Sequence, residues 1–305
     1  MTDSASRISG ENLKITAGDL IVNYDDNGPV YAPVVVFVHG TPFNKSVWDL
    51  QAEALKSNYR VITYDLRGHG QTEGPADDLT VQKHTEDLFR LIDVLHLDKV
   101  ILCGISLGGY IALSAIEQNH DKFNALVLCS TQCGTDNEEV LALRQKQIEV
   151  LDNKGMEVYA DELMAELFAP TSFTTRKEEV RAVHRIILAT RAASVRTSLL
   201  ALSERKESCS NLWDIKIPVL IMAGKEDAIT PPAAAQFMRD NINGSLMHVI
   251  DYAGHLANLE NTHEFNVLFK KFIDKVCAKK HLSRHCSDEF WTAEPKKLIP
   301  KITNP

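Results

Sequence analysis

No apolar run in this 305-residue chain is long enough to span a bilayer, so no membrane-spanning helix is expected. Positive charge is in deficit: 33 Lys and Arg stand against 41 Asp and Glu, a net charge of −8. The signs are interspersed and leave no basic footprint, so neither nucleic acid nor an anionic membrane is expected as a partner. Met1 to Asn12 is polar and lacks the apolar stretch of a secretory signal, which argues against export. Cysteine is sparse and unpatterned. Cys103, Cys129, Cys133, Cys209, Cys277 and Cys286 follow no framework spacing and read as free thiols, which points to the cytoplasm. No Gly-rich loop with a Lys follows a strand, which argues against nucleotide chemistry, and there are no internal repeats. What remains, at 44% hydrophobic and 24% charged, is a globular chain able to bury about three-quarters of its unfolded surface.

The stretch that organises this chain is Val100 to Tyr110. Four apolar residues lead into Gly104-Ile105-Ser106-Leu107-Gly108, and a helical pattern follows to Gln118. This is G-x-S-x-G between a buried strand and a helix, the setting that gives the motif chemical meaning. A serine on so tight a turn needs glycine neighbours because the flanking backbone leaves no room for Cβ atoms. The amides that open the helix supply aimed donors and positive dipole character beside Ser106.

Strand-like runs recur around it. Leu13–Thr16 and Leu20–Tyr24 alternate about Gly18-Asp19 as an edge hairpin, and Val34–Val38, Tyr59–Tyr64, Asn124–Cys129, Ile217–Ala223 and Leu246–Ile250 read as buried strands. Helical patterns fall at Ser46–Lys56, Thr80–Leu95, Pro231–Asn241 and Asn261–Val276, the last with a capping-box start. From about Gly134 to Ser208 the chain is charged and helix-rich. The expected architecture is an α/β, mostly parallel, doubly wound core (13–134 and 210–278) with a helical cap insertion (135–209). Residues 1–12 are expected to be disordered and 279–305 to form an extension.

Chemistry in such sheets sits at the carboxyl ends of strands. Asp227 follows one late strand and His255 the next, so the order Ser106, Asp227, His255 is that of a nucleophile elbow and its partners. His255 directly follows a glycine after the last strand and is preferred as base over the other histidines. Asp227 is preferred over Glu226 and Asp251 because a strand-end glycine and a Pro-Pro helix start pin its loop. Backbone N–H groups of Thr41 and Leu107 are the expected oxyanion hole. His39 is read as holding its loop, and Asp65–Gly70 as a structural turn. Phe43, Met156, Met164, Phe168, Arg185, Arg191, Ile229 and Leu256 are candidates to line the substrate pocket. Arg185 and Arg191 are there as cations for an anionic substrate, whereas the Met and Phe positions read more readily as core of the cap. Cys277, His281, His285 and Cys286 fit no zinc template, so no metal and no cofactor is expected.

The set His39-Gly40, Gly68-His69-Gly70, Gly104-x-Ser106-x-Gly108-Gly109, Gly224-x-x-Asp227 and Gly254-His255 resembles the α/β-hydrolase superfamily over residues 13–278. Within it, His39–Phe43, Ala223–Pro232 and Gly254–Glu260 resemble 3-oxoadipate enol-lactonase-like and carboxylesterase-like serine hydrolases. That resemblance implies cleavage of a small ester or lactone through an acyl-enzyme. Serine at 106 separates the chain from the dehalogenases and epoxide hydrolases it otherwise resembles, which carry an aspartate nucleophile. The resemblance leaves open C–C bond hydrolysis, perhydrolysis (Pro42 being shared with cofactor-free haloperoxidase-like relatives) and a non-catalytic receptor. The polar run Ser203–Ser208 matches no stretch of these families.

Overall fold

The computed structural model describes residues 9–283, with side chains to Ala278. Eight strands form one sheet: β1 (Gly10–Ala17), β2 (Leu20–Asn27), β3 (Val34–Val38), β4 (Arg60–Tyr64), β5 (Val100–Ile105), β6 (Phe123–Cys129), β7 (Val219–Gly224) and β8 (Leu246–Ile250). Their order is β1-β2-β4-β3-β5-β6-β7-β8. The β1–β2 and β2–β4 pairs are antiparallel, and every pairing from β4 to β8 is parallel. The class is α/β, an α/β-hydrolase fold.

Period-two alternation decides which face each strand residue covers. Val35, Phe37, Ile101 and Cys103 pack on one side of the sheet, and Val36, Val38, Val100 and Leu102 on the other. Both sets are apolar because helices cover both faces, as a parallel sheet requires. On the first face lie α1 (Asp49–Leu55) and α10 (Thr262–Ser283), where Phe37 stacks on Phe269 at 5.5 Å and meets Trp48 at 4.8 Å. On the second lie α2 (Val81–Val94), α3 (Leu107–Gln118) and α8 (Pro232–Asn241). Burying side chains of this size is worth roughly 2–3 kcal/mol each.

Between β6 and β7 the chain leaves the sheet as α4 (Glu138–Leu167), α5 (Ser172–Thr175), α6 (Lys177–Ala189) and α7 (Ala192–Ser203). The helix α4 is broken at Gly155, whose φ of 84° favours glycine. A four-residue turn, α9 (Ala257–Glu260), precedes α10. Among the described residues no single helix is long and apolar enough to cross a membrane.

Three expectations change. Gly10 opens β1 and pairs with Asp26, so residues 10–12, expected to be disordered, are strand. The last helix runs through Ser283, past the expected boundary at 278, while 284–305, with His285 and Cys286, lie outside the described residues, as does the His281 side chain. Cys133 and Cys209, read as free thiols, form a disulfide with Cα atoms 4.9 Å apart. Their 76-residue separation conceals it in the sequence, because the two cysteines meet only where the chain leaves and re-enters the sheet. Cys103 and Cys129 are buried thiols, and Cys277 is a partly buried one outside any disulfide.

Candidate active site

Six parallel strands bring their carboxyl ends to one edge of the sheet, and the candidate residues follow four of them: Thr41 after β3, Ser106 after β5, Asp227 after β7 and His255 after β8. Ser106 sits at the N-cap of α3 with φ 53° and ψ −118°, a strained conformation for a residue with a Cβ. Its neighbours show why glycine surrounds it. A Cβ on Gly104 would lie 2.1 Å from Gly108 O, one on Gly108 would lie 2.2 Å from Val38 O, and one on Gly109 would meet Thr131. The elbow is fixed from behind by Ser106 N–H, which donates to Cys129 O and Ser130 O, and by the Thr131 hydroxyl, which donates to Ser106 O at 2.9 Å. The Ser106 side chain makes no capping bond and is half-buried. Its hydroxyl is left for chemistry.

His255 and Asp227 are both buried, and Nδ1 lies 3.0 Å from each carboxylate oxygen. A carboxylate can only accept, so Nδ1 carries the proton and Nε2 keeps its lone pair. Asp227 also accepts the N–H groups of Ile229 and Thr230 and the Thr230 hydroxyl, each at 2.9 Å. Burial pushes the Asp227 carboxyl up, but the His255 ring and these donors outweigh it and hold the pKa below the usual carboxylate range. The two rival acids stand elsewhere: Glu226 is exposed, and Asp251 pairs with Lys225 at 2.7 Å on the surface.

The loop after β3 approaches Ser106 closely, since a Cβ on Gly40 would lie 3.0 Å from Ser106 Cβ. His39 Nδ1–H donates to Gly40 O at 2.7 Å, and its Nε2 accepts Leu66 N–H at 3.0 Å. His69 is arranged in parallel: Nδ1–H donates to Arg67 O at 3.0 Å, and Nε2 accepts the Thr41 hydroxyl at 2.9 Å. Each ring therefore uses one nitrogen as donor and one as acceptor and is neutral. Burial pushes both pKa values down to about 4. Among the described residues the N–H groups of Thr41 and Leu107 have no acceptor, so both remain available to a ligand oxygen. Arg67 is held by Asp87 and Asp19 within the structural turn.

The pocket candidates divide. Phe43, Met164, Phe168 and Leu256 are buried in the apolar cluster shared by the cap and one sheet face, and Met156 and Ile229 pack partly buried against it. Arg185 and Arg191 are exposed, and the Arg191 charge adds a small part to the lowering of the His69 pKa, which burial dominates.

Sequence reasoning missed how the histidine loop meets the cap. His255 N–H donates to Leu167 O at 2.8 Å. The buried Glu260 carboxylate accepts Gly254 N–H on one oxygen and Ala169 N–H and the Ser172 hydroxyl on the other, all at 2.7 Å. Burial pushes the Glu260 carboxyl up, against the pull of these donors. Glu260 lies in a stretch quoted for its resemblance, but nothing local in the sequence points to partners some 90 residues earlier.

A strained serine elbow and a carboxylate-held histidine, each in a loop that follows a parallel strand at the same sheet edge, are features of a hydrolase-type site. Residues 33–262 match the alpha/beta hydrolase fold family, and the chain belongs to it. It is 29% identical over 250 residues to 3-oxoadipate enol-lactonase 1 of Acinetobacter baylyi, covering 82% of this chain and 92% of that protein. Among solved structures it is similar to a thermophilic esterase from Thermogutta terrifontis with malate bound, at 29% identity and a TM-score of 0.81 over 88% of this chain and 99% of that one. The enol-lactonase of Burkholderia xenovorans LB400 shares the fold, with a TM-score of 0.80 at 23% identity over 86% and 100% of the two chains.

Proposed function

We propose that the protein is a serine hydrolase of small carboxylic esters or lactones, with Ser106 as nucleophile, His255 as base and Asp227 as its acid partner. The observation that carries this reading is the His255–Asp227 pair, whose bonding leaves Nε2 basic at the same sheet edge as the strained Ser106. His255 Nε2 takes the Ser106 proton as Oγ attacks the carbonyl carbon. The oxyanion that forms accepts the N–H groups of Thr41 and Leu107. Collapse expels the alcohol, which takes its proton from His255, and water admitted by the same base then cleaves the acyl-enzyme. For a lactone the alcohol stays tethered and the product is the open hydroxy acid.

Relatives named as esterase and enol-lactonase support the substrate class. Neutral short esters are expected to turn over readily, and any preference for a carboxylate-bearing lactone is assigned to a cap arginine, Arg185 or Arg191. The cytoplasmic location expected from free thiols holds only if the Cys133–Cys209 bridge forms there. Alkylation and mass spectrometry of protein from its native cells decide that point.

The test of function is hydrolysis of a chromogenic short-chain ester and a panel of lactones by purified protein. Ser106→Ala is expected to lower kcat by about 10⁴-fold or more with an unchanged melting temperature. An alanine variant of wild-type activity, or a wild type inert on every ester and lactone, contradicts the reading.

A further inference from the structure

Gly254 and His255 are gripped from outside the sheet. A Cβ on Gly254 would lie 2.8 Å from Ala169 N and from Leu167 O, so the histidine loop and the cap segment after α4 touch backbone to backbone. Three bonds weld that contact: His255 N–H to Leu167 O, Gly254 N–H to Glu260, and Ala169 N–H to Glu260. The Ser172 hydroxyl and, through the Glu260 carbonyl, Arg176 Nε–H at 2.8 Å extend it along the cap.

Space alone does not call for a carboxylate here. Glu260 is buried, and no cation contacts its carboxylate among the described residues, so desolvation works against it. A side chain kept only for filling would be apolar. What distinguishes this position is that donors approach both oxygens from two different segments, one carrying His255 and the other belonging to the cap. Only a group with two acceptor oxygens serves both at once.

We propose that Glu260 is a positioning residue, whose carboxylate couples the cap segment Ala169–Ser172 to Gly254 and so sets the His255 imidazole against Asp227. This rests on the reading of His255 as the base. Glu260→Gln keeps the volume but turns an NH₂ group toward an N–H donor on one side, which opens one half of the clamp. A misplacement of about 1 Å transmitted from outside the reacting groups costs on the order of 10²-fold in rate. The KM, set by the pocket, is expected to change little.

The experiment pairs kinetics with the low-field proton resonance of His255 Nδ1–H, assigned by its loss in Asp227→Asn. In Glu260→Gln the resonance is expected to shift or broaden, with kcat reduced and KM nearly unchanged. A resonance unmoved in the folded variant overturns the proposal, even if the melting temperature falls. If Glu260→Gln does not fold, Ser172→Ala removes one donor from the same carboxylate and is expected to move the same resonance by less. An unmoved resonance there also overturns it. The spectra are recorded without substrate, so a wild type that cleaves no ester refutes the hydrolase reading while the positioning claim is still decided.

Discussion

Two of the fastenings that hold the cap to the sheet domain differ in kind. At the neck, where the chain leaves β6 and returns to β7, the bonds are covalent and ionic. Cys133–Cys209 bridges the two strands of chain, and Ser208 N–H donates to Cys133 O at 2.8 Å. The buried Arg205 pairs with Asp136 at 2.7 Å, donates to Gly134 O at 2.8 Å and lies over the Tyr110 ring at 4.5 Å, while Arg144 pairs with the same Asp136. At the seam, where Leu167–Arg176 meets the His255 loop, there is no ion pair among the described residues, only short bonds from backbone N–H groups, the Ser172 hydroxyl and the Arg176 guanidinium to Leu167 O and Glu260. A strong neck tolerates local change because its bonds hold chain ends together. The seam transmits local change because its bonds share atoms with the residue that aims the imidazole. The neck governs whether the cap stays; the seam governs whether the site works.

The comparison predicts that losses on the seam side fall on activity. Asp227→Asn removes the acceptor that fixes the His255 tautomer and is expected to lower kcat by about 10⁴-fold. Asp251→Asn, which removes only an exposed pair with Lys225, is expected to leave kcat near wild type. Equal losses in the two variants would break the assignment of the acid.

Acid is expected to act on the site side before the neck. His39 and His69 have folded pKa values of about 4, below the unfolded value near 6.5. Between those values the unfolded chain binds protons that the folded chain does not, so stability falls as pH drops from 6.5 to 4 and changes no further from these groups below it. At about 1.4 kcal/mol per unit and group, the total is several kcal/mol. At Asp136 burial works against the charge, but Arg144 and Arg205 overcome it and hold the pKa down, so the neck pair survives this window. Hydrogen exchange between pH 6.5 and 4 is expected to show residues 39–43 and 65–70 losing protection before 133–136 and 205–209. The reverse order would break the comparison.

The neck gives the smallest catalytic effect. Cys133→Ser frees a 76-residue loop in the unfolded chain, worth up to about 4.5 kcal/mol. The melting temperature is expected to fall, with kcat nearly unchanged at 25 °C. A large fall in kcat with the fold intact would show that the neck also aims the site.

What could be read in the chain, and what could not, follows the range of the interactions. β3 and β8 have the bounds that their apolar runs suggest, and the glycines around Ser106 announce a turn whose crowding is local. Asp227 and His255 can be singled out as candidates because strand ends converge in this class of sheet, a rule of topology that needs no contact map. The Cys133–Cys209 bridge, the Glu260 clamp and the Thr41–His69 bond join segments 28 to 91 residues apart. No periodicity or motif encodes such pairs. Arg205 illustrates the same limit: it lies in the polar run Ser203–Ser208, and its role emerges only with Asp136 and Tyr110 beside it.

The central claim is that Ser106 is the nucleophile activated by His255. Its most direct test is covalent capture with a fluorophosphonate, followed by peptide mapping of wild type, Ser106→Ala and Asp227→Asn. The account predicts one adduct, on Ser106, formed rapidly in wild type, slowly in Asp227→Asn and not at all in Ser106→Ala. Modification of another residue, or equal labelling of the alanine variant, would contradict it.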